Sequence, residues 1–137
     1  MLSAANRAKL GNDNPTNQNI KLATALSYAN TVIRVVIDST AADGFNFTMP
    51  VAMRIADVVV QAQAAATSGA LQLRRTTTAI TDAIDAAVNH TIDRAATIDD
   101  QQAATTAGET LNFISTGSDA TEAGKVRAIV YIYGSPV

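Results

Sequence analysis

The stretch Val126-Arg-Ala-Ile-Val-Tyr-Ile-Tyr133 decides the fold of this chain. Most of its side chains are β-branched or aromatic, and such residues favour a pleated backbone that is at least half-buried. Apolar residues occupy both faces of the stretch over much of its length. A strand of this kind needs cover on both sides, so we predict that it lies at the centre of a sheet or beneath a partner.

Two shorter strands are predicted nearer the start of the chain. Residues 31–38 are rich in β-branched side chains, which suit a half-buried sheet. Residues 45–48 alternate strictly, so both Phe rings of this segment lie on one face. Pro50 cannot donate a hydrogen bond to a neighbouring strand, and it therefore ends this strand.

A β-hairpin is predicted in the middle of the chain. Residues 53–64 form a long apolar strand, and residues 67–69 contain the turn signal Thr-Ser-Gly. Residues 70–75 then return with Leu71 and Leu73 on one face. Two apolar runs separated by a short Gly-containing segment are typical of paired neighbouring strands.

The segment after this hairpin carries mixed signals. Ile80, Ile84 and Val88 recur at a spacing of four, which with the Ala-rich composition favours a short helix over residues 80–87. The threonines at positions 76–78 and 81 weaken a long helix, so both helix and strand stay open for residues 79–88. Residues 91–98 are predicted to form a strand.

The last third of the chain returns to strand and turn signals. Asp99 and Asp100 can cap a single helical turn over residues 101–105, since Asp accepts hydrogen bonds from free amides at a helix start. A strand follows at residues 110–115, with Leu111 and Phe113 on one face, and residues 116–125 form a polar loop.

About seven strands with frequent turn signals predict an all-β protein, a β-sandwich of jelly-roll-like type. This domain is assigned to residues 28–137. Residues 1–27 are rich in Asn and contain Gly11 and Pro15, which disfavour helix and sheet interiors. We therefore predict an extended N-terminal arm.

Composition excludes several function classes. The 137 residues carry a net charge of −2, with 16% charged residues, one His and no Cys. Disulfide scaffolds, thiolate metal sites and thiol nucleophiles are therefore absent. The near-neutral charge predicts no nucleic-acid binding, and the lack of a long apolar run predicts no membrane span and no secretory leader. We predict a protein that is not an enzyme and uses no cofactor.

The acidic residues of the middle segment permit three interpretations. Paired carboxylates can hydrolyse glycosidic bonds, and several oxygen ligands can hold a cation. The aromatic platforms and the Asp-rich loop spacing that these sites need are missing, so capping of turns is favoured. The residues concerned are Asp82, Asp85, Asp93, Asp99 and Asp100.

Partner contacts are predicted at two places. Arg74 and Arg75 form the only adjacent basic pair; they make either ordinary surface ion pairs or contacts to carboxylates of a neighbouring subunit. The arm carries widely spaced apolar residues, which either belong to a frayed terminus or anchor the arm on an adjacent subunit. These anchors are Leu10, Ile20, Leu22 and Leu26.

Several segments resemble a known class of protein. They are Ala79-Ile-Thr-Asp-Ala-Ile84, Asp93-Arg-Ala-Ala-Thr-Ile-Asp-Asp100 and Ala107-Gly-Glu-Thr-Leu-Asn-Phe113, preceded by Phe47-Thr-Met-Pro50. The pattern is similar to small β-rich virion proteins of tailed bacteriophages and covers residues 45–134. The resemblance implies a capsid decoration (cement) protein that binds outside an assembled icosahedral shell.

This resemblance implies a non-enzymatic function. The protein would bridge neighbouring capsomers, contact the major capsid protein and form a homo-oligomer, with a trimer favoured. It would be assembled in the host cytoplasm and would lie on the outer surface of the virion. The alternative is a receptor- or carbohydrate-binding β-module of a phage spike or fibre. That module would bind through residues 116–125 and residues 89–91 at one end of the sandwich.

Overall fold

The computed structural model describes residues 8–10, 12–13, 31–38, 44–119 and 126–137. The chain divides into two units, Met1–Asn30 and Thr31–Val137.

The described part of the first unit is one small antiparallel pair. Strand β1 (Ala8–Leu10) pairs with β2 (Asn12–Asp13). Leu10 lies in β1. The other three predicted anchors, Ile20, Leu22 and Leu26, fall outside the described residues, so the docking arm stays a prediction.

The second unit is all-β, and its described residues contain no helix. Its strands are β3 (Thr31–Ile37), β4 (Phe45–Thr48), β5 (Met53–Ala62), β6 (Ala66–Arg75), β7 (Thr78–Ala79), β8 (Ile84–Asp85), β9 (Ile92–Arg94), β10 (Ala104–Thr105), β11 (Thr110–Asp119) and β12 (Ala128–Pro136).

These strands form two antiparallel sheets that pack against each other as a β-sandwich. In sheet I the order is β3-β12-β5, and β9 and β10 both pair with the far side of β5. In sheet II the order is β4-β11-β6, and β7 and β8 both pair with the far side of β6. The predicted sandwich class is confirmed.

The pairing is nested along the chain. The short strands β7 and β8 together occupy one edge position, and β9 and β10 together occupy another. Counted in this way, the sandwich has eight strand positions. The first pairs with the eighth, the second with the seventh, the third with the sixth and the fourth with the fifth. This arrangement is that of a jelly roll, in which a long antiparallel ribbon is rolled into two sheets.

The core lies between the sheets, because alternate residues of every long strand point inwards. The strand β12 follows this pattern closely, with every second residue buried from Ala128 to Gly134. It lies between β3 and β5, which confirms its predicted central place. From sheet II, Phe113 is fully buried and stacks on Phe47 with ring centroids 5.4 Å apart.

Two buried threonines join strands by their side chains. The Thr105 hydroxyl accepts a hydrogen bond from the Met53 amide (3.3 Å) and donates one to the carbonyl of the same residue (3.0 Å). The Thr81 hydroxyl accepts from the Leu73 amide at 3.1 Å. Each hydroxyl therefore replaces a backbone contact where a short edge strand begins or ends.

The predicted helix over residues 80–87 is wrong. Ile80 and Ile84 are buried, but Val88 is 60% exposed, so the three side chains do not share one face. The amides of this segment donate across to β6: Ile80 to the Leu73 carbonyl and Ala86 to the Gly69 carbonyl, both at 2.8 Å. Bonding to an existing sheet edge outweighs the local helix propensity of an Ala-rich segment.

The predicted hairpin of residues 53–64 with 70–75 is also wrong. β5 belongs to sheet I and β6 to sheet II, so the chain crosses between the sheets after Ala62. The expected turn residues lie inside β6 instead, opposite a bulge in β11 between Thr116 and Ser118. Gly117 has a φ of +84°, and a Cβ there would lie 2.1 Å from the Thr67 carbonyl oxygen. The Thr-Ser-Gly segment therefore lies opposite a β-bulge and does not form a hairpin turn.

Three smaller differences concern lengths. The strand predicted over residues 91–98 is confined to β9, although Ile98 forms an isolated bridge with Thr81. Residues 101–105 form a turn and then β10 rather than a helical turn. β11 continues to Asp119, four residues into the predicted loop, whose residues 120–125 are outside the described part.

Candidate functional site

The outer surface of sheet I is largely apolar. The side chains that point away from the core on β3, β12, β5 and β9 follow the cross-strand register. We call the apolar side chains among them the apolar face: Val32, Val36, Val59, Ile92, Ile129, Tyr131 and Tyr133. Gln61 lies between Ile129 and Ile92. Three of them stand far into solvent: Val32 is 51% exposed, Val36 is 42% and Ile92 is 65%. A contiguous apolar surface on a small domain marks an interaction site.

Charged residues flank the apolar face on its two sides. Arg34 lies on β3 beside Tyr131 of β12, and it is exposed without an ion pair to any described residue. On the opposite side Arg94 of β9 forms an ion pair with Asp57 of β5. Asp93 lies between Ile92 and Arg94 in the chain but opposite the buried Val60, so it is on the other side of β9, where it accepts from the Asp85 amide.

An open cleft lies at the β9 side of this face. It has a volume of about 360 Å³ and is lined by Asp57, Val59, Ile92, Asp93, Arg94 and Tyr133. The cleft therefore combines an aromatic ring, aliphatic side chains and paired hydrogen-bonding groups, which is the composition of many ligand sites.

The outer surface of sheet II is polar. We call this surface the polar face; it consists of Asn46, Thr48, Gln72, Arg74, Thr110, Asn112, Ile114 and Thr116. The Asn112 amide donates to the side-chain carbonyl oxygen of Asn46 at 2.6 Å across β11 and β4. Arg74 lies opposite Asn112 in the register, and its Nε donates to the Gln72 side chain at 2.7 Å. This surface can exchange hydrogen bonds with a partner without burying much apolar area.

The adjacent Arg75 has a different role from Arg74. Its Nε donates to the Glu109 carboxylate, Nη1 donates to the Gln102 backbone carbonyl (2.9 Å), and Nη2 to that of Ala104 (2.7 Å). The side chain therefore connects β6 of sheet II to the turn before β10, to β10 itself and to the residue before β11. It is a structural clamp in this arrangement.

Glu109 completes the clamp. The hydrogen bond from Arg75 holds the pKa of the Glu109 carboxyl below its ordinary value, with help from the Thr106 amide and against partial burial. The Thr106 amide donates to Glu109 Oε1 at 3.0 Å. The carboxylate is thus held ionised by the groups that it joins.

The acidic residues of the middle segment accept hydrogen bonds from backbone amides of the same domain. Asp82 accepts from the amides of Ala96 (3.0 Å) and Thr97 (3.2 Å). Asp99 accepts from the Gln101 amide at 2.9 Å, and this bond caps the turn that precedes β10. Asp85 accepts from the Ala87 amide, and Asp93 from the amides of Asp85 and Arg94. The capping interpretation of these carboxylates agrees with their contacts.

Further candidate centres are few in the residues that the structure covers. Among them no three His, Asp or Glu side chains are arranged to hold a metal ion. His90 is exposed in a turn before β9, with a φ of +66°. In the same part of the chain, no helix is long and apolar enough to cross a membrane.

The structure separates the residues that the sequence marked for partner contact. Arg74 lies on the polar face, Arg75 in the clamp and Leu10 in the first unit. The apolar face was missed as a set, because its members come from four segments that are far apart in the chain. One signal was present: the final strand is apolar on both faces, and its second face carries Tyr131 and Tyr133.

Comparison with known proteins adds no further assignment. No family model, no curated protein and no solved structure matches this chain.

Proposed function

We propose that this protein is a structural component of a bacteriophage virion that decorates and stabilises the icosahedral capsid. It would bridge neighbouring capsomers from the outer surface, with the N-terminal arm docking on adjacent subunits and the major capsid protein as its principal partner. The resemblance of residues 45–134 to small phage head proteins provides this context. The protein would act by binding and not by catalysis.

One observation carries the proposal: the apolar face. A sandwich of this size needs only its inner faces to form a core, yet sheet I also presents Val32, Val36 and Ile92 to solvent. Such a surface is stabilised when protein covers it, and copies arranged on a shell provide that cover. Jelly-roll sandwiches are also common among viral capsid domains, which supports the same context.

The polar face is the surface proposed to contact the shell. Arg74 provides a positive charge there, and Asn46, Thr48 and Asn112 provide hydrogen-bonding groups around it. Single contacts of this kind are weak in water. Copies held together on one shell gain from a high effective concentration, so weak contacts add up to firm attachment.

Binding to purified shells tests the proposal. Shells that lack this protein are mixed with the purified chain, and bound copies per shell and the thermal midpoint of the shell are measured. We expect saturable binding and a raised midpoint. Wild-type protein that neither binds nor stabilises such shells would contradict the proposed function.

Three variants define the contacts. Arg74→Ala should weaken binding about tenfold, equivalent to about 1.4 kcal/mol. Arg54→Ala is the matched control, since Arg54 is an exposed arginine of sheet I with its own ion pair to Asp100, and it should change binding less than about twofold. Deletion of residues 2–27 should lower occupancy, and unchanged occupancy would remove the arm from the mechanism.

A second candidate function is carbohydrate or receptor binding. The cleft beside Tyr133 favours it, because an aromatic wall next to Asp57 and Arg94 can stack on a sugar ring and bond its hydroxyls. Glycan-array binding by the isolated protein tests this function. Binding that is lost in Tyr133→Ala and kept in Tyr131→Ala would favour the spike or fibre module over the capsid function.

A further inference from the structure

We propose that the free edge of β3 pairs antiparallel with the same edge of a second copy of this chain, with Val36 on the two-fold axis. The β3 edge is the backbone of residues 31–38 on the side away from β12. The pairing would join the two copies of sheet I into one continuous sheet. It goes beyond the proposed function and does not depend on it, because it needs no capsid.

The β3 edge differs from the other edges of the sandwich in length and regularity. β3 has seven residues, and its ladder with β12 runs from Thr31 to Ile37 without a bulge. The other edge strands are β4 with four residues and β7, β8, β9 and β10 with two or three each. Short strands, bulges and prolines keep sheet edges from pairing with one another, and β3 is long and has neither a bulge nor a proline.

The backbone of the β3 edge is available for this pairing. Among the described residues, only those of β12 form backbone hydrogen bonds with residues 31–38. Alternate amides and carbonyls of an edge strand point away from its neighbour, where they bond water or another strand. A second strand can therefore bond this edge as β12 bonds the opposite one.

Two opposite charges lie on this edge at equal distances from Val36. Arg34 and Asp38 are both exposed, and neither forms an ion pair with a described residue. Four residues of extended chain separate them by about 13 Å, so they cannot pair within one copy. Arg127 precedes β12 and lies on the β12 side of Asp38, away from the edge.

Antiparallel pairing about Val36 places Arg34 of each copy opposite Asp38 of the other. Residues directly opposite in such a ladder have Cβ atoms about 5 Å apart, so an ion pair can form on each side of the axis. Val36 meets Val36 between these pairs, and on the core side Val35 meets Ile37. Both copies make the same contacts, as a two-fold interface requires.

Other registers of the same two strands are less favourable. An axis through Arg34 brings the two guanidinium groups opposite each other, and parallel pairing in register does the same. Like charges directly opposite each other destabilise a sheet. An axis through Val35 places Arg34 opposite Val36 and Asp38 opposite Val32, so neither charge meets its complement directly. The charges therefore select the axis through Val36.

Single cysteine variants test this register, since the native chain contains no cysteine and any disulfide must join two copies. Val36→Cys places two thiols opposite each other with Cα atoms about 4.5–5.5 Å apart, which is within disulfide range. Val32→Cys is the matched control, because Val32 is exposed on the same face of the same strand. In the proposed register its two thiols are separated by eight residues of strand, about 27 Å.

The first experiment is oxidation of each purified variant at about 0.1 mM without capsids, followed by non-reducing electrophoresis; this concentration populates complexes of submillimolar Kd. We expect a covalent dimer from Val36→Cys and much less from Val32→Cys. Equal cross-linking of the two variants, or more from Val32→Cys, would overturn the proposal.

A charge exchange provides the second measurement. In sedimentation, Arg34→Asp and Asp38→Arg should each weaken dimer formation about tenfold, because each places like charges opposite on both sides of the axis. The double variant should restore it, since both ion pairs form again with their charges exchanged. Arg54→Asp, on β5, is the control for net charge and should change association less than about twofold. Circular dichroism confirms folding. A double variant as weak as the single ones would contradict the pairing.

Hydrogen exchange identifies what covers the edge. As the protein concentration rises, the β3 amides that face away from β12 should gain protection. If these amides are protected in a protein that stays monomeric, the chain's own residues 1–30 cover the edge, and the proposal is overturned. Wild-type protein that is monomeric at about 0.1 mM, or one that forms the trimer implied by the resemblance, would overturn it as well. A monomer that still occupies shells would leave the capsid function intact.

Discussion

The two outer surfaces of the sandwich differ in kind, although the two inner surfaces are alike. Both sheets bury alternate aliphatic and aromatic side chains against each other. Outside, sheet I continues with valines, isoleucines and tyrosines, whereas sheet II carries amides, threonines and Arg74. The inner faces are dictated by folding, which any sandwich must satisfy. The outer faces are free of that demand, so the difference between them indicates what each surface meets.

The largest effect should separate the two sides of a single strand. Val130 is fully buried, and Val130→Asp places a carboxylate in the core without a partner. The cost of several kcal/mol is comparable with the whole stability of a domain of this size, so we expect loss of the folded state. Tyr131→Asp, on the apolar face one residue later, should keep a cooperative thermal transition by circular dichroism. Unfolding of both variants would contradict the division between inner and outer surfaces.

The next effect compares neighbouring arginines on β6. Arg75→Ala removes the donor to Glu109 and to the carbonyls of Gln102 and Ala104. We expect a loss of about 2 kcal/mol in the free energy of unfolding, since these charge-assisted bonds are only partly shielded from water. Arg74→Ala should change it by less than about 0.5 kcal/mol. Urea denaturation measures both, and equal losses would show that Arg75 is no clamp.

Acid should weaken the same clamp. Because the pKa of the Glu109 carboxyl is lowered by folding, its contribution is present above its ordinary value of 4.5 and is lost as the pH falls through the lower folded value. Glu109→Gln should therefore be less stable than wild type at pH 7, and the two should converge well below pH 4.5.

The control for this pH dependence is the pair of variants without the arginine. In an Arg75→Ala background, Glu109→Gln should produce a much smaller difference between neutral and acid pH, because the principal cause of the lowered pKa is gone. An undiminished difference would assign the acid sensitivity to another group.

The smallest effect on stability should come from the apolar face itself. Ile92→Ser removes an exposed side chain and should alter the free energy of unfolding by less than about 0.5 kcal/mol. It should nevertheless lower the fluorescence of a dye that binds exposed apolar surface. Ile114→Ser, on the polar face, should leave dye fluorescence near the wild-type value. A larger loss of dye fluorescence in Ile114→Ser than in Ile92→Ser would place the dye-binding apolar surface on sheet II.

The elements predicted correctly were those fixed by period-two alternation. The pattern of β12, and of Leu111 with Phe113 in β11, is enough to choose between strand faces, so the sandwich could be inferred. The connection between the two sheets could not be inferred, because the local sequence after Ala62 is compatible both with a hairpin and with a crossover to the other sheet. The helix over residues 80–87 failed for a related reason: its edge strands depend on carbonyls of Leu73 and Gly69, which no local propensity reports.

The candidate site was predictable only in part. The apolar residues on both faces of β12 indicated a covered surface. The residues of the apolar face on β3, β5 and β9 could not be identified, because only the strand register places them beside β12. Arg74 and Arg75 are indistinguishable in sequence. Strand alternation places them on opposite sides of β6, and only Arg75 meets Glu109, 34 residues further along the chain.

The nested pairing also determines when this protein can fold during synthesis. Ile33 of β3 pairs with Ile132 of β12, about a hundred positions later, and β12 also completes the ladder of β5. Sheet I therefore cannot form completely until β12 has left the ribosome. Until then β3 and β5 lack the strand that lies between them, and their inner side chains are not part of a complete sheet. Folding of such long-range topologies is slow. The growing chain thus passes through a stage in which its β-branched segments are unpaired and prone to aggregation.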